Sequence, residues 1–171
     1  ADLRQRVQRL GYHVVGVATS GDEAVRKIRD VRPDLVLLDI QLGTGIDGVT
    51  VAHRVLEEQH LPIVFMTAYS DNETLQRAKL VGPCGYVLKP FEERELRTTL
   101  EMALYKHQTD RRLRESEERY RALVEQAGEG IAYLSREARF EFANSAAEGI
   151  FGVEGDGLSG RSLADFTQPV E

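Results

Sequence analysis

Three short apolar runs in this chain each end in a polar or charged residue. Leu35–Leu38 precedes Asp39, Ile63–Met66 precedes Thr67, and the Gly85–Leu88 run precedes Lys89. Short apolar runs without alternation suit strands buried on both faces, as in a parallel sheet covered by helices. Helical stretches separate them. Ala24, Val25, Ile28 and Val31 form one apolar stripe that ends before Pro33. Val51, Ala52, Val55 and Leu56 form a second, and a weaker helix around Leu75 to Val81 stops at Gly82-Pro83. This alternation predicts parallel β-α units with right-handed crossovers, hence an α/β, doubly wound sheet. Open sheets of this kind bind ligands beyond the carboxyl ends of their strands. Asp39, Thr67 and Lys89 should therefore converge on one edge, with Asp39 partly exposed. Taken singly, Asp39 reads as a helix cap, Thr67 as a cap or turn residue and Lys89 as a solvated strand end. Chance placement explains one of them well and all three poorly.

Ahead of these runs, Leu3, Val7 and Leu10 share a helical face that Gly11 terminates;. Tyr12 to Ala18 is β-branched and aromatic and reads as a strand. Ser20 with Glu23, and Ser70 with Glu73, have capping-box spacing;.

Composition narrows the function. A net charge of −6 argues against non-specific nucleic-acid binding by this region;. One cysteine, Cys84, leaves no internal disulfide, so a cytoplasmic location is expected;. Cys84 itself reads as a small residue at a strand start. The four histidines are scattered without metal-ligand spacing, no apolar run is long enough to span a bilayer, and no secretory signal is visible at Ala1;.

From about Glu92 to Ala127 the chain is helical, charged and free of glycine and proline. Leu96, Leu100, Ala103 and His107 keep a four-three spacing. Leu113, Glu117, Tyr120, Val124 and Ala127 keep it again in a shifted phase. A solvated helix with one packed face and a coiled-coil connector with a phase skip near Asp110 both fit this pattern. Gly128 and Gly130 then end the helix. Ile131–Leu134 and Phe140–Ala143 read as two strands joined by a polar turn, with short helices at Ser145–Phe151 and Ser162–Phe166. These elements are too few to close a core, so the chain is expected to stop inside its second domain. The expected organisation is 1–108, 109–127 as a connector and 128–171.

Leu-Val-Leu-Leu-Asp39, Asp47-Gly48, Pro62-Ile-Val-Phe-Met-Thr67-Ala68 and Gly85-Tyr86-Val-Leu-Lys89-Pro90-Phe91 together resemble the receiver domain of two-component response regulators. The resemblance implies a flavodoxin-like fold in which Asp39 is the phosphoacceptor, assisted by Thr67 and Lys89. It implies that Tyr86 switches together with Thr67, that a cis bond precedes Pro90, and that Mg²⁺ sits at Asp39. Two departures stand out. The loop Gln41–Ile46 lacks the usual Met-Pro and is one residue longer. The first strand, with its acidic metal-binding pair, is expected ahead of residue 1. Without that strand, its neighbours Tyr12–Ala18 and Leu35–Asp39 would carry unpaired edges.

From about Ser116 the chain resembles the start of a PAS sensor domain, through Glu117–Glu125, Gly130–Tyr133 and Phe142–Ala147; its ligand is unknown. The implied function is a phosphorelay, in a hybrid sensor kinase or multidomain response regulator. The receiver would take phosphate from a histidine kinase or phosphotransfer protein and couple through a helix to the sensor, as a homodimer joined by that helix. A receiver-like docking or dimerisation module without phosphorylation is the alternative. Gly43 to Gly48 also matches G-x-G-x-x-G, but four residues separate the strand from the first glycine, and the next strand ends in Thr67 where a ribose-binding acid would stand.

Overall fold

In a computed structural model of the chain the three apolar runs form one parallel sheet. β1 is Val36–Asp39, β2 is Ile63–Ala68 and β3 is Gly85–Lys89, in the order β1-β2-β3. The structure describes residues 2–42, 45–68, 72–153, 155 and 157–166, with backbone alone over 72–75. The Ser70–Glu73 capping box and the Gly43-Thr44 step lie outside the described residues. Asp39 aligns with Met66, and Lys89 with Ala68. The chain divides into two compact units, Ala1–Arg111 and Arg112–Glu171.

In the first unit, β2 is central and its side chains alternate between two apolar layers. Ile63 and Phe65 join Leu38 on one face, against α2 (Gly21–Val31), α3 (Gly48–Glu58) and α4 (Asn72–Leu80). Val64 and Met66 join Val87 on the other, against α1 (Leu3–Arg9) and Leu96, Leu100 and Ala103 of α5 (Glu93–Glu125). Helices on both faces make the sheet doubly wound. Each buried side chain of this size contributes about 1.5–3 kcal/mol, so both layers are needed.

Tyr12–Ala18 is not a strand. It makes no ladder, and Val15 and Val17 are about half exposed, at 49% and 52%. β-Propensity alone does not make a strand, because the ladder must come from a neighbour. Among the described residues β1 pairs with β2 alone. The segment is held instead through Ala18 and Tyr12, which pack on opposite layers, and by Lys27 Nζ donating to Val17 O at 2.6 Å. The α2 stripe also ends a turn early: Ala24, Val25 and Ile28 are buried, whereas Val31 is exposed.

Ser20 caps α2, accepting from Glu23 N at 3.4 Å. The return arm lands one residue earlier than a capping box predicts. Thr19 N and Thr19 Oγ1 donate to the Glu23 carboxylate at 2.7 and 2.9 Å. Lys27 first, and then Thr19, lower the Glu23 carboxyl to about 2 by hydrogen bonding to its charged form;.

In the second unit, β4 (Ala132–Leu134) and β5 (Phe140–Ala143) pair antiparallel, followed by α6 (Ser145–Phe151) and a 3₁₀ turn, Leu163–Phe166. These few elements do enclose a small core. Phe140 is buried edge-on to Phe151 and Phe166, with centroids at 5.2 and 6.0 Å, and Leu158 is fully buried. Asn144 is fully buried too, and all its side-chain capacity is used;. Oδ1 accepts from Ile131 N at 2.8 Å and Ala147 N at 2.9 Å. Nδ2 donates to Val124 O at 2.8 Å and Glu129 O at 2.9 Å. One side chain thus ties the end of α5, the entry to β4 and the start of α6 together. Glu125 adds a second tie, accepting from Ser145 N and Oγ, and these bonds lower its carboxyl below the ordinary value.

Asn144→Ala would leave two N–H and two C=O groups without these partners. At 1–3 kcal/mol for each buried orphan, partly relieved by water, a loss of about 3 kcal/mol is expected. Hydrogen exchange on the whole chain should show it as faster exchange at Ile131 and Ala147, with β2 amides unchanged.

Candidate functional site

Parallel register brings Asp39 and Lys89 to the same edge of the sheet but leaves β2 between them. Their backbones are two strand spacings apart and offset by two residues along the strands, a separation of roughly 11–12 Å. The long stem of Lys89 bridges that gap, and its ammonium donates to Asp39 Oδ2. The other oxygen, Oδ1, accepts from Gln41 N at 3.1 Å. Both side chains remain partly exposed, so the carboxylate is reachable from solvent while neutralised from one side. The Lys89–Pro90 bond is cis.

Thr67 stands near the end of β2, between these two strand ends, and is buried. Its hydroxyl donates to Ala68 O at 3.1 Å. Tyr86 of β3 leans on Phe65, with ring centroids 6.1 Å apart. Its hydroxyl is buried without a hydrogen-bond partner among the described residues, and burial raises the phenol above its ordinary value. A buried orphan donor carries a desolvation cost that a partner would relieve.

The chain after Asp39 returns to it through Gly48. Gly48 N donates to Ile40 O at 2.9 Å. A Cβ on Gly48 would lie 2.1 Å from Asp39 O, so only glycine fits. Asp47 caps α3, accepting from Thr50 N at 2.8 Å and Thr50 Oγ1 at 2.6 Å. Arg77 of α4 reaches its other oxygen at 3.0 Å. Burial pushes the Asp47 carboxyl up, but the Thr50 hydrogen bonds and the Arg77 guanidinium outweigh it, and the net direction is down;.

Sequence reasoning pointed to Asp39, Thr67, Lys89 and Tyr86, and it missed three contributors. The Gln41 amide depends on how the loop turns. Arg77 and Arg6, described below, act across the tertiary structure and carry no local signature. For metal binding, no cluster of three His, Cys, Asp or Glu side chains among the described residues could hold an ion. Hard divalent cations need several oxygen ligands. Asp39 is paired with an ammonium, and the described donor set does not by itself fit such a cation.

The family model of the response regulator receiver domain matches residues 1–101. This chain belongs to that family. A PAS domain model matches residues 118–171. The receiver is similar to the transcriptional regulatory protein PdtaR of Mycobacterium tuberculosis, 34% identical over 103 residues, covering 60% of this chain and 50% of PdtaR. It is similar to the phyllosphere-induced regulator PhyR of Methylorubrum extorquens, 34% identical over 112 residues, covering 65% of this chain and 41% of PhyR. The chain thus spans half or less of the length of these curated relatives. Among solved structures, it resembles the receiver domain of a modulated diguanylate cyclase from Desulfovibrio desulfuricans, with TM-score 0.60 and 45% identity, covering 63% of this chain and 86% of that one. It also resembles the N-terminal domain of a response regulator/sensory box/GGDEF three-domain protein from Carboxydothermus hydrogenoformans, with TM-score 0.58, 36% identity and the same coverages.

Two outcomes test this geometry. Gly48→Ala should cost about 3 kcal/mol in urea unfolding, because its Cβ meets backbone and not a movable side-chain tip. Asp47→Asn keeps a cap acceptor and loses the charge facing Arg77. Since folding lowers the Asp47 carboxyl, its contribution is present above the unfolded value of about 3.9 and is lost as pH falls through the lower folded value. The variant should be less stable at neutral pH and lose less stability than wild type below about pH 4.

Proposed function

We propose that this receiver accepts a phosphoryl group on Asp39 and that its state is coupled through α5 to the PAS module. The observation that carries this reading is the Lys89 ammonium held on the Asp39 carboxylate at the open edge of the sheet. Phosphoryl transfer needs a positioned nucleophile and positive charge beside the equatorial oxygens. An Asp39 oxygen attacks phosphorus in line with the P–N bond of a phosphohistidine on a histidine kinase or phosphotransfer protein. That bond breaks, the imidazole leaves with the electron pair and takes up a proton, and a mixed anhydride forms at Asp39. Lys89 shifts from carboxylate to phosphoryl oxygen, and the Thr67 hydroxyl turns from Ala68 O to another. Tyr86, whose hydroxyl lacks a partner among the described residues, moves with Thr67 to report the change. The family resemblance implies Mg²⁺ near Asp39, but the described residues do not complete a site for it, and none of these steps is routed through the ion. The receiver relatives, regulators by name, support phosphorelay signalling in general.

The working boundaries are 1–108, 109–127 and 128–171, in a multidomain regulator or hybrid kinase of the cytoplasm. No helix among the described residues is long and apolar enough to cross a membrane. The net negative charge favours protein partners over nucleic acid for this region;. Leu113, Tyr120 and Leu123 are exposed on α5, which supports parallel association with a second copy;.

Intact-mass measurement after incubation with acetyl phosphate should show one added phosphoryl group. Asp39→Asn should remove it, and Lys89→Gln should slow its appearance on the order of 10²-fold. An unmodified wild-type chain would sink this reading and favour the docking module. Light scattering should give the mass of a dimer, reduced to that of a monomer by Leu113→Glu with Tyr120→Glu. A wild-type monomer at high concentration would remove the dimer from the proposal.

A further inference from the structure

Lys89 sits between two anchors. On its N-terminal side, β3 is held by the ladder to β2, with Lys89 opposite Ala68. On its C-terminal side, Arg6 of α1 grips Phe91. Arg6 Nη1 donates to Phe91 O at 3.0 Å, and the guanidinium carbon lies 5.4 Å from the centroid of the Phe91 ring. The apolar layer of Leu3, Val7, Leu96 and Leu100 brings α1 and Phe91 together. Arg6 converts that non-directional contact into a fixed position. A planar guanidinium can serve a carbonyl and an aromatic face together, which neither an amide nor an ammonium does as well.

We propose that Arg6 is a positioning residue for phosphoryl transfer. By holding Phe91 it sets where the chain leaves β3, and so the point from which Lys89 reaches Asp39. This rests on the reading of Asp39 as phosphoacceptor. Lys89 crosses two strand spacings and a two-residue offset along the strands, roughly 11–12 Å, with little slack. A small displacement of its base therefore removes the ammonium from Asp39, and misplacement near 1 Å can cost on the order of 10²-fold in rate. A neighbouring pair provides the control. Arg9 approaches Glu93 at 3.6 Å, but both are exposed, and such pairs contribute little;.

The test uses the full chain as wild type, Arg6→Gln, Arg6→Lys and Arg9→Gln, with two readouts. One is the rate of Asp39 phosphorylation by acetyl phosphate. The other is acylation of Lys89 by a limiting amine reagent, followed by peptide mass spectrometry, which requires no phosphoryl chemistry. Arg6→Gln should slow phosphorylation about 10- to 100-fold and speed Lys89 acylation several-fold. Arg6→Lys should recover part of both, and Arg9→Gln should change neither. Wild-type values of both readouts in folded Arg6→Gln would overturn the proposal, as would an equal effect from Arg9→Gln. Should Arg6→Gln not fold, Arg6→Lys decides: unchanged Lys89 acylation overturns the proposal and a partial increase supports it. If wild type takes no phosphoryl group, the phosphoacceptor reading fails, and the acylation series still decides whether Arg6 places Lys89.

Discussion

Parallel pairing of β1 with β2 and of β2 with β3 is the constraint on which the site depends. Because the three strands run the same way, Asp39, Thr67 and Lys89 reach one edge. Reversing β3 would carry Lys89 to the far edge, beyond the length of any side chain. Burial alone specifies this register weakly. A one-residue slip of β2 would exchange Ile63 and Phe65 for Val64 and Met66, and both pairs are apolar. The connections supply the missing specificity. Val36 N donates to Pro62 O at 3.0 Å and Cys84 N to Ile63 O at 2.8 Å where the strands begin, while Ile40 N donates to Met66 O at 3.0 Å where β1 ends.

The helices position chemistry as well as cover the sheet. α3 presents its N-terminus to the backbone of Asp39, α4 reaches the cap of α3 through Arg77, and α1 reaches the chain beyond Lys89 through Arg6. The site is thus linked to three helices, and among the described residues Lys89 is the one charged side chain that touches Asp39. Motion at the carboxylate would be felt first by those links, because packed layers resist continuous deformation.

Much of this was legible in the sequence, for identifiable reasons. Buried parallel strands announce themselves as short apolar runs, and their polar last residues mark the ligand edge. Amphipathic helices show their period, so α2 and α3 could be placed from spacing alone. Tyr12–Ala18 was over-read because its residue types favour strands while the partner that makes a strand is non-local. Arg6 and Arg77 were invisible because their contacts join residues far apart in the chain, Arg6 bonding a carbonyl 85 positions away. The long helix left two readings open. Its first stripe is buried by Leu96, Leu100 and Ala103, while Leu113, Tyr120 and Leu123 remain exposed further along the same helix.

The hydrogen bond from Gly48 N to Ile40 O has a consequence for tolerance to change. It closes the loop after Asp39 like a clasp, with the Asp47 cap on one side and the strand ladder on the other. Segments fastened at both ends can vary in length at small entropic cost, since closure entropy grows only with the logarithm of loop size. The length and sequence of Gln41–Ile46 can therefore change without moving the carboxylate, whereas the glycine that fastens the loop has no substitute.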